Sequence, residues 1–235
     1  MPDRLETVEV QTGAAPRAAV VWMHGLGADG HDFEPIVPEL GLPPDLPVRF
    51  VFPHAPMRPV TINQGYVMRA WYDVRADAGE RREDEAGVRE SHRQIAALIA
   101  REAARGIPAG RVLLAGFSQG GAMALHVGLR HPERLAGVIA LSCFLPLADR
   151  VAAEASPDNR ATPILMAHGT QDPLIPVTRG RQARDLLTRL GYQVAWHEYP
   201  MPHAVCADEI ALIGRWAAAR LSSGSAQAVP PAAGE

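Results

Sequence analysis

The sequence predicts an α/β fold: a mostly parallel central sheet with helices on both faces and no large lid domain. Three observations carry this. Short apolar runs of strand length alternate with amphipathic runs of helix length, the pattern of a βαβ chain. The apolar runs are nearly continuous rather than alternating, as strands covered on both faces should be. One of them ends in Gly116-Phe117-Ser118-Gln119-Gly120 and passes at once into a helix-like run.

In chain order, AAVVWM (18–23) predicts a buried strand that ends at His24-Gly25-Leu26-Gly27, and VRFVF (48–52) predicts another that stops at Pro53. RVLLAG (111–116), LAGVIALS (135–142), PILMAH (163–168) and QVAWHEY (193–199) predict the rest of the sheet. Residues 84–105 set Val88, His92, Ile95 and Ile99 on one helical stripe, and the acidic run at 83–85 suits a helix N-terminus. Further helices are expected over 119–130, over 178–190 with Gly191 as the stop, and from near His203 to about Leu221. A single domain is expected over 1–221. The small, polar, Pro-rich stretch 222–235 reads as a disordered tail.

Two connections are informative. The stretch 53–74 is long for a loop and carries Met57, Tyr66, Met68, Trp71 and Tyr72, so it reads as a packed excursion that also walls a pocket. The connection 143–162 spans about twenty residues, too few for a large helical lid, and predicts an open site.

Composition narrows the class. A chain of 235 residues buries a substantial core. A formal net charge of -3 gives no electrostatic draw toward nucleic acid or an anionic membrane. Cys143 and Cys206 make no disulfide framework and read as small core residues. The N-terminus lacks the pattern of a signal peptide and no apolar stretch reaches membrane-spanning length. A cytoplasmic chain without stable membrane insertion is expected.

The chemistry centres on Ser118. A G-x-S-x-G string between strand and helix is the context of a nucleophile elbow, where a sharp, strained turn lifts a serine hydroxyl above the sheet. Glycines flank it because side chains there would collide with the neighbouring strand and helix. The turn aims the backbone N–H of Gln119 at a reacting carbonyl. A serine needs a histidine base, and the histidine an orienting carboxylate. Of the downstream acids Asp149, Asp158, Asp172, Asp185 and Asp208, only Asp172 closely follows a strand. Of His126, His131, His168, His197 and His203, only His203 sits just past a strand end. A rival order, His24 or His54 with Asp73 and then Ser118, belongs to an all-β architecture that this chain does not show. His24-Gly25-Leu26-Gly27 is better read as the source of a second oxyanion-hole N–H, from Leu26.

With these residues in view, the sequence resembles the phospholipase/carboxylesterase family, which includes acyl-protein thioesterases and small bacterial carboxylesterases. The matching stretches are WMHGLGADGHDF, FPHAPMRPVTINQGYVMRAWYDV, LLAGFSQGGAMALHVGLR, MAHGTQDPLIPV and YPMPHAVCADEI, spread over residues 22 to 210. The resemblance implies an α/β-hydrolase fold and a triad of Ser118, Asp172 and His203. It also implies oxyanion donors on the backbones of Leu26 and Gln119, no metal and no organic cofactor. It puts Trp71, Met68 and Leu26 against the substrate, with Trp71 as a core anchor the alternative. A homodimer is compatible with it. Two positions depart from the family: Pro202 stands before the base where glycine is usual, and Cys143 stands where glycine is frequent.

The reading is a serine carboxylesterase that hydrolyses small-molecule, short- to medium-chain esters through an acyl-enzyme, with little interfacial activation. An acyl-protein thioesterase or lysophospholipase with the same triad is the alternative. A non-catalytic binding module of the same fold is the reading from a different class.

Overall fold

A computed structural model describes residues 5–77 and 80–222. The tail expected over 222–235 lies, but for Ser222, outside them. A seven-stranded sheet runs in the order β1 (Thr7–Gln11), β3 (Val48–Pro53), β2 (Ala18–Met23), β8 (Val112–Phe117), β9 (Gly137–Leu141), β10 (Ile164–Gly169) and β11 (Val194–Tyr199). Every neighbouring pair is parallel except β1 with β3. The intervening elements are two antiparallel ribbons, β4 (Met57–Val60) with β5 (Tyr66–Arg69) and β6 (Val74–Asp77) with β7 (Glu80–Glu83). The helices are α1 (Glu85–Ala104), α2 (Gln119–Arg130), the single turn α3 (Val151–Glu154), α4 (Val177–Arg189) and α5 (Ala207–Ser222).

The continuous apolar runs are explained by burial on both faces. In β2, Ala19, Val21 and Met23 point into the core beneath α1, α2 and α4, where Val88, Ile95, Leu125 and Leu187 pack. Ala18, Val20 and Trp22 point into the opposite core, beneath α5 and the turns around Val37 and Leu40. Period two places alternate residues on opposite faces, so a strand covered twice needs no polar position.

Three expectations change. The N-terminal strand β1 is added at the sheet edge. The 53–74 stretch is built around the β4–β5 ribbon. The last helix starts at Ala207 rather than near His203, which lies in the preceding loop. The connection after β9 holds only short helical turns and α3, with no large lid.

Candidate active site

Every residue of the site follows the C-terminal end of a parallel strand. Ser118 follows β8, the HGLG turn follows β2, Asp172 follows β10 and His203 follows β11. Open α/β sheets bind ligands at this edge, where loops from neighbouring strands converge.

Ser118 holds φ 55° and ψ −119°, a conformation that L side chains rarely adopt. Its N–H donates to the Leu141 carbonyl at 2.8 Å and its carbonyl accepts from Ala122 at 3.0 Å, which holds the strain in place. The glycines are required by distance. A Cβ on Gly116 would stand 2.3 Å from Gly120 backbone atoms, and one on Gly120 would stand 2.2 Å from the Met23 carbonyl oxygen. As the first residue of α2, Gln119 has a backbone N–H with no partner within the helix.

His203 Nδ1 donates to Asp172 Oδ2 at 2.5 Å. The other carboxylate oxygen of Asp172 accepts from the N–H groups of Leu174 and Ile175, both at 2.9 Å. These bonds fix the carboxylate and leave His203 Nε2 for another partner. The Phe117 ring packs 4.7 Å from the imidazole, between centroids. Pro202 does not disturb the loop: its carbonyl accepts from Ala204 at 2.9 Å, and the Met201 carbonyl accepts from Gln171 at 3.1 Å. His168 Nε2 donates to the Ile175 carbonyl at 2.8 Å and lies 3.5 Å from Asp172 Oδ2. Burial lowers its pKa, so a neutral ring braces the aspartate loop.

Ser118, His203, Leu26 and Gln119 open onto one cleft of about 430 Å³, with Phe117, Tyr72, Phe144 and Ile175 among its walls. Its lining is mostly apolar with a few polar groups, the usual make-up of a small-molecule site.

The expected substrate contacts of Trp71 and Met68 are corrected. Trp71 has no exposed surface and is not part of the cleft lining. Its indole N–H donates to the His24 carbonyl at 2.9 Å, so it anchors the HGLG turn from behind. Met68 also lies outside the lining, and its sulfur accepts from Asn63 Nδ2 at 3.4 Å beside Gly27. The neighbouring Arg69 carbonyl accepts from Gly27 at 2.9 Å. From this part of the chain, Ile62, Tyr72 and Val74 line the cleft instead.

The rival histidine is occupied. His24 Nδ1 donates to the Gly25 carbonyl at 2.6 Å and its Nε2 accepts from Ala55 at 3.0 Å. Burial pushes its pKa down to about 4, so it is a neutral brace of the HGLG turn. Asp73 is bonded to Thr61 and Arg75. Cys143 is buried, lies outside the lining and fills a gap beside Gly121.

Sequence reasoning missed the side chain of Gln119. It is buried; its Oε1 accepts from Trp71 N and its Nε2 donates to the Tyr72 carbonyl, both at 2.7 Å. The residue that follows the nucleophile thus ties the elbow to the cleft wall.

A family model described as Phospholipase/Carboxylesterase matches residues 5–218. Acyl-protein thioesterase 1 of Neurospora crassa is 42% identical over 214 residues, 87% of each chain. Among solved structures, Arabidopsis thaliana SOBER1 superposes with a TM-score of 0.81 at 32% identity, covering 87% of this chain and 99% of its own. Zea mays acyl-protein thioesterase 2 gives 0.82 at 28% identity, covering 92% and 99%.

Proposed function

Since this chain belongs to the phospholipase/carboxylesterase family of serine hydrolases, we propose that it cleaves acyl thioesters, S-acylated proteins first among them, and carboxylic esters at the same site. One observation carries the chemical reading. Ser118 stands in a strained turn at a cleft shared with His203, whose Nδ1 is 2.5 Å from Asp172. The preference for thioesters rests on the Neurospora and maize relatives, both named acyl-protein thioesterases. The carboxylesterase reading stands second, supported by an open and mainly apolar cleft without a lid.

In the proposed reaction, His203 Nε2 takes the Ser118 Oγ proton as the oxygen attacks the acyl carbonyl. Asp172 holds the imidazole tautomer and stabilises the imidazolium. The oxyanion rests on the N–H groups of Leu26 and Gln119, each worth about 3–4 kcal/mol in the transition state. His203 returns the proton to the departing thiol or alcohol. It then deprotonates a water that attacks the acyl-enzyme, releasing the acid and regenerating Ser118.

The test compares an S-octanoyl peptide with p-nitrophenyl octanoate for the wild type and Ser118→Ala. The wild type should turn over both, with the higher kcat/KM on the thioester, and a fluorophosphonate should label Ser118. Ser118→Ala should lower kcat by roughly 10⁴–10⁶ with an unchanged Tm. Turnover retained in the purified variant refutes the nucleophile, and a reversed substrate ranking favours the carboxylesterase reading.

A further inference from the structure

The cleft lining carries four charged side chains besides the histidine: Asp32, Asp73, Arg75 and Arg179. On the wall formed by residues 72–75, Asp73 accepts from Arg75 Nε at 2.8 Å, so the carboxylate and the guanidinium answer each other. On the facing wall, α4 begins without an acidic residue in its first turn and places Arg179 there. Helix N-termini favour anions, so a cation at this position works against the helix dipole. Arg179 nevertheless lines the cleft together with Ser118 and His203.

Arg179 is also held. Its guanidinium carbon stands 5.0 Å from the centroid of the Phe144 ring, another wall residue, a cation–π contact that restrains the side chain. Two other arginines of the same helix are paired, Arg181 with Glu198 at 2.7 Å and Arg184 with Asp185 at 2.6 Å. Among the described residues Arg179 has no carboxylate partner. The Arg179 guanidinium thus lines the cavity that holds Ser118, beside a helix N-terminus and without an ion-pair contact to Asp32, the other charge of the lining unpaired among the described residues.

We propose that Arg179 is a specificity-determining residue that selects substrates carrying an anionic group, a carboxylate or a phosphate, away from the bond to be cleaved. A guanidinium fork matches either anion through two parallel N–H bonds. The inference rests on the reading of the Ser118 cleft as an acyl-transfer site.

Two matched substrate pairs test it and separate the sources of the anion. Mono-p-nitrophenyl glutarate against p-nitrophenyl 5-methylhexanoate varies a carboxylate on the acyl part at constant shape. A lysophosphatidic acid against the monoacylglycerol of the same chain varies a phosphate on the alcohol part. In at least one pair the charged-to-neutral ratio of kcat/KM should fall about tenfold in Arg179→Met, as expected for loss of a charged hydrogen-bonding partner. Arg179→Lys should keep part of the ratio, because an ammonium supplies the charge without the fork. Raising salt from about 50 to about 500 mM should lower the wild-type ratio in the same pair. The responding pair names the anion's source.

Ratios unchanged in both pairs, or a fall shared equally by the charged and neutral members, overturn the proposal. If Arg179→Met does not fold, Arg179→Lys and the wild-type salt response decide in the same way. Turnover of charged and neutral esters alike with no dependence on Arg179 overturns this inference and leaves the acyl-transfer reading standing. Absence of fluorophosphonate labelling and of all ester turnover in the wild type overturns both.

Discussion

Replacing Gln119 by methionine tests the tie between the elbow and the cleft wall. The side chain accepts from the Trp71 N–H and donates to the Tyr72 carbonyl, both at 2.7 Å, in a buried setting. Methionine keeps the length and shape but satisfies neither peptide group. A buried peptide group left without its partner costs about 1–3 kcal/mol, so the pair costs roughly 2–6 kcal/mol. In a domain of this size each kcal/mol moves Tm by roughly 2–4 °C, giving an expected fall of about 5–20 °C. The backbone N–H of residue 119 is retained, so hydrolysis at permissive temperature should survive. The wall residues Tyr72 to Arg75 are released, so the preference among acyl-chain lengths should flatten. Differential scanning calorimetry and a p-nitrophenyl ester chain-length series read the two effects. A Tm within about 1 °C of wild type refutes the claim that this amide satisfies the buried peptide groups.

Three further outcomes follow from the geometry. Asp172→Asn should keep the fold yet lower kcat by about 10⁴, because an amide does not hold the His203 tautomer; a loss below tenfold in steady-state assays argues against the pairing. Gly120→Ala places a Cβ 2.2 Å from the Met23 carbonyl oxygen, so the soluble yield should collapse; a normally folded and active variant contradicts the close approach. Stability should fall as pH drops below about 6.5, because burial holds the pKa of His24 and His92 down to about 4 and of His126 to about 3. The unfolded chain binds these three protons first, while burial raises Glu209 to about 7 and contributes in the opposite direction. These four groups alone give a net of two protons and a slope of about 3 kcal/mol per pH unit at its steepest, and the lowered pKa values of His54, His131 and His168 add to it in the same direction, readable by urea unfolding between pH 7 and 5. A flat profile there refutes the burial assignments.

Strands β2, β3, β8, β9 and β10 were legible because both their faces are buried, which leaves an apolar run that composition alone reveals. The edge strand β1 was not: TVEVQ is short and no residue of it is fully buried. The β4–β5 ribbon hides for a related reason, since Met57, Tyr66 and Val67 are exposed and Pro59 interrupts the run. The start of α5 was misread because the run Ala204-Val205-Cys206-Ala207 between His203 and the acidic Asp208-Glu209 holds no glycine or proline to mark the boundary. Ser118, Asp172 and His203 could be picked out from their positions at strand ends. Trp71 was assigned to the wrong side of its loop, because irregular backbone has no period from which side-chain direction follows. The Gln119 amide, His168 and Phe117 stand on regular elements, and their roles were concealed because their partners Trp71, Tyr72, Ile175 and His203 lie in loops. Arg179 was invisible for a different reason: its place in the cleft lining, against the Phe144 ring, follows from tertiary packing and not from its position in the sequence.

The proposed triad is assembled from strand ends far apart in the chain, with the nucleophile after β8 and the base after β11, the last strand made. Asp172 and His203 meet only once β11 has aligned on β10, with Gly169 opposite Tyr199 and the Thr170 N–H bonded to the Tyr199 carbonyl at 2.8 Å. A chain still emerging from the ribosome would therefore carry the proposed nucleophile without its base and stay chemically silent until β11 is seated. Covalent labelling of Ser118 during synthesis would then report completion of the sheet, with hydrolytic competence arriving as the last event of folding.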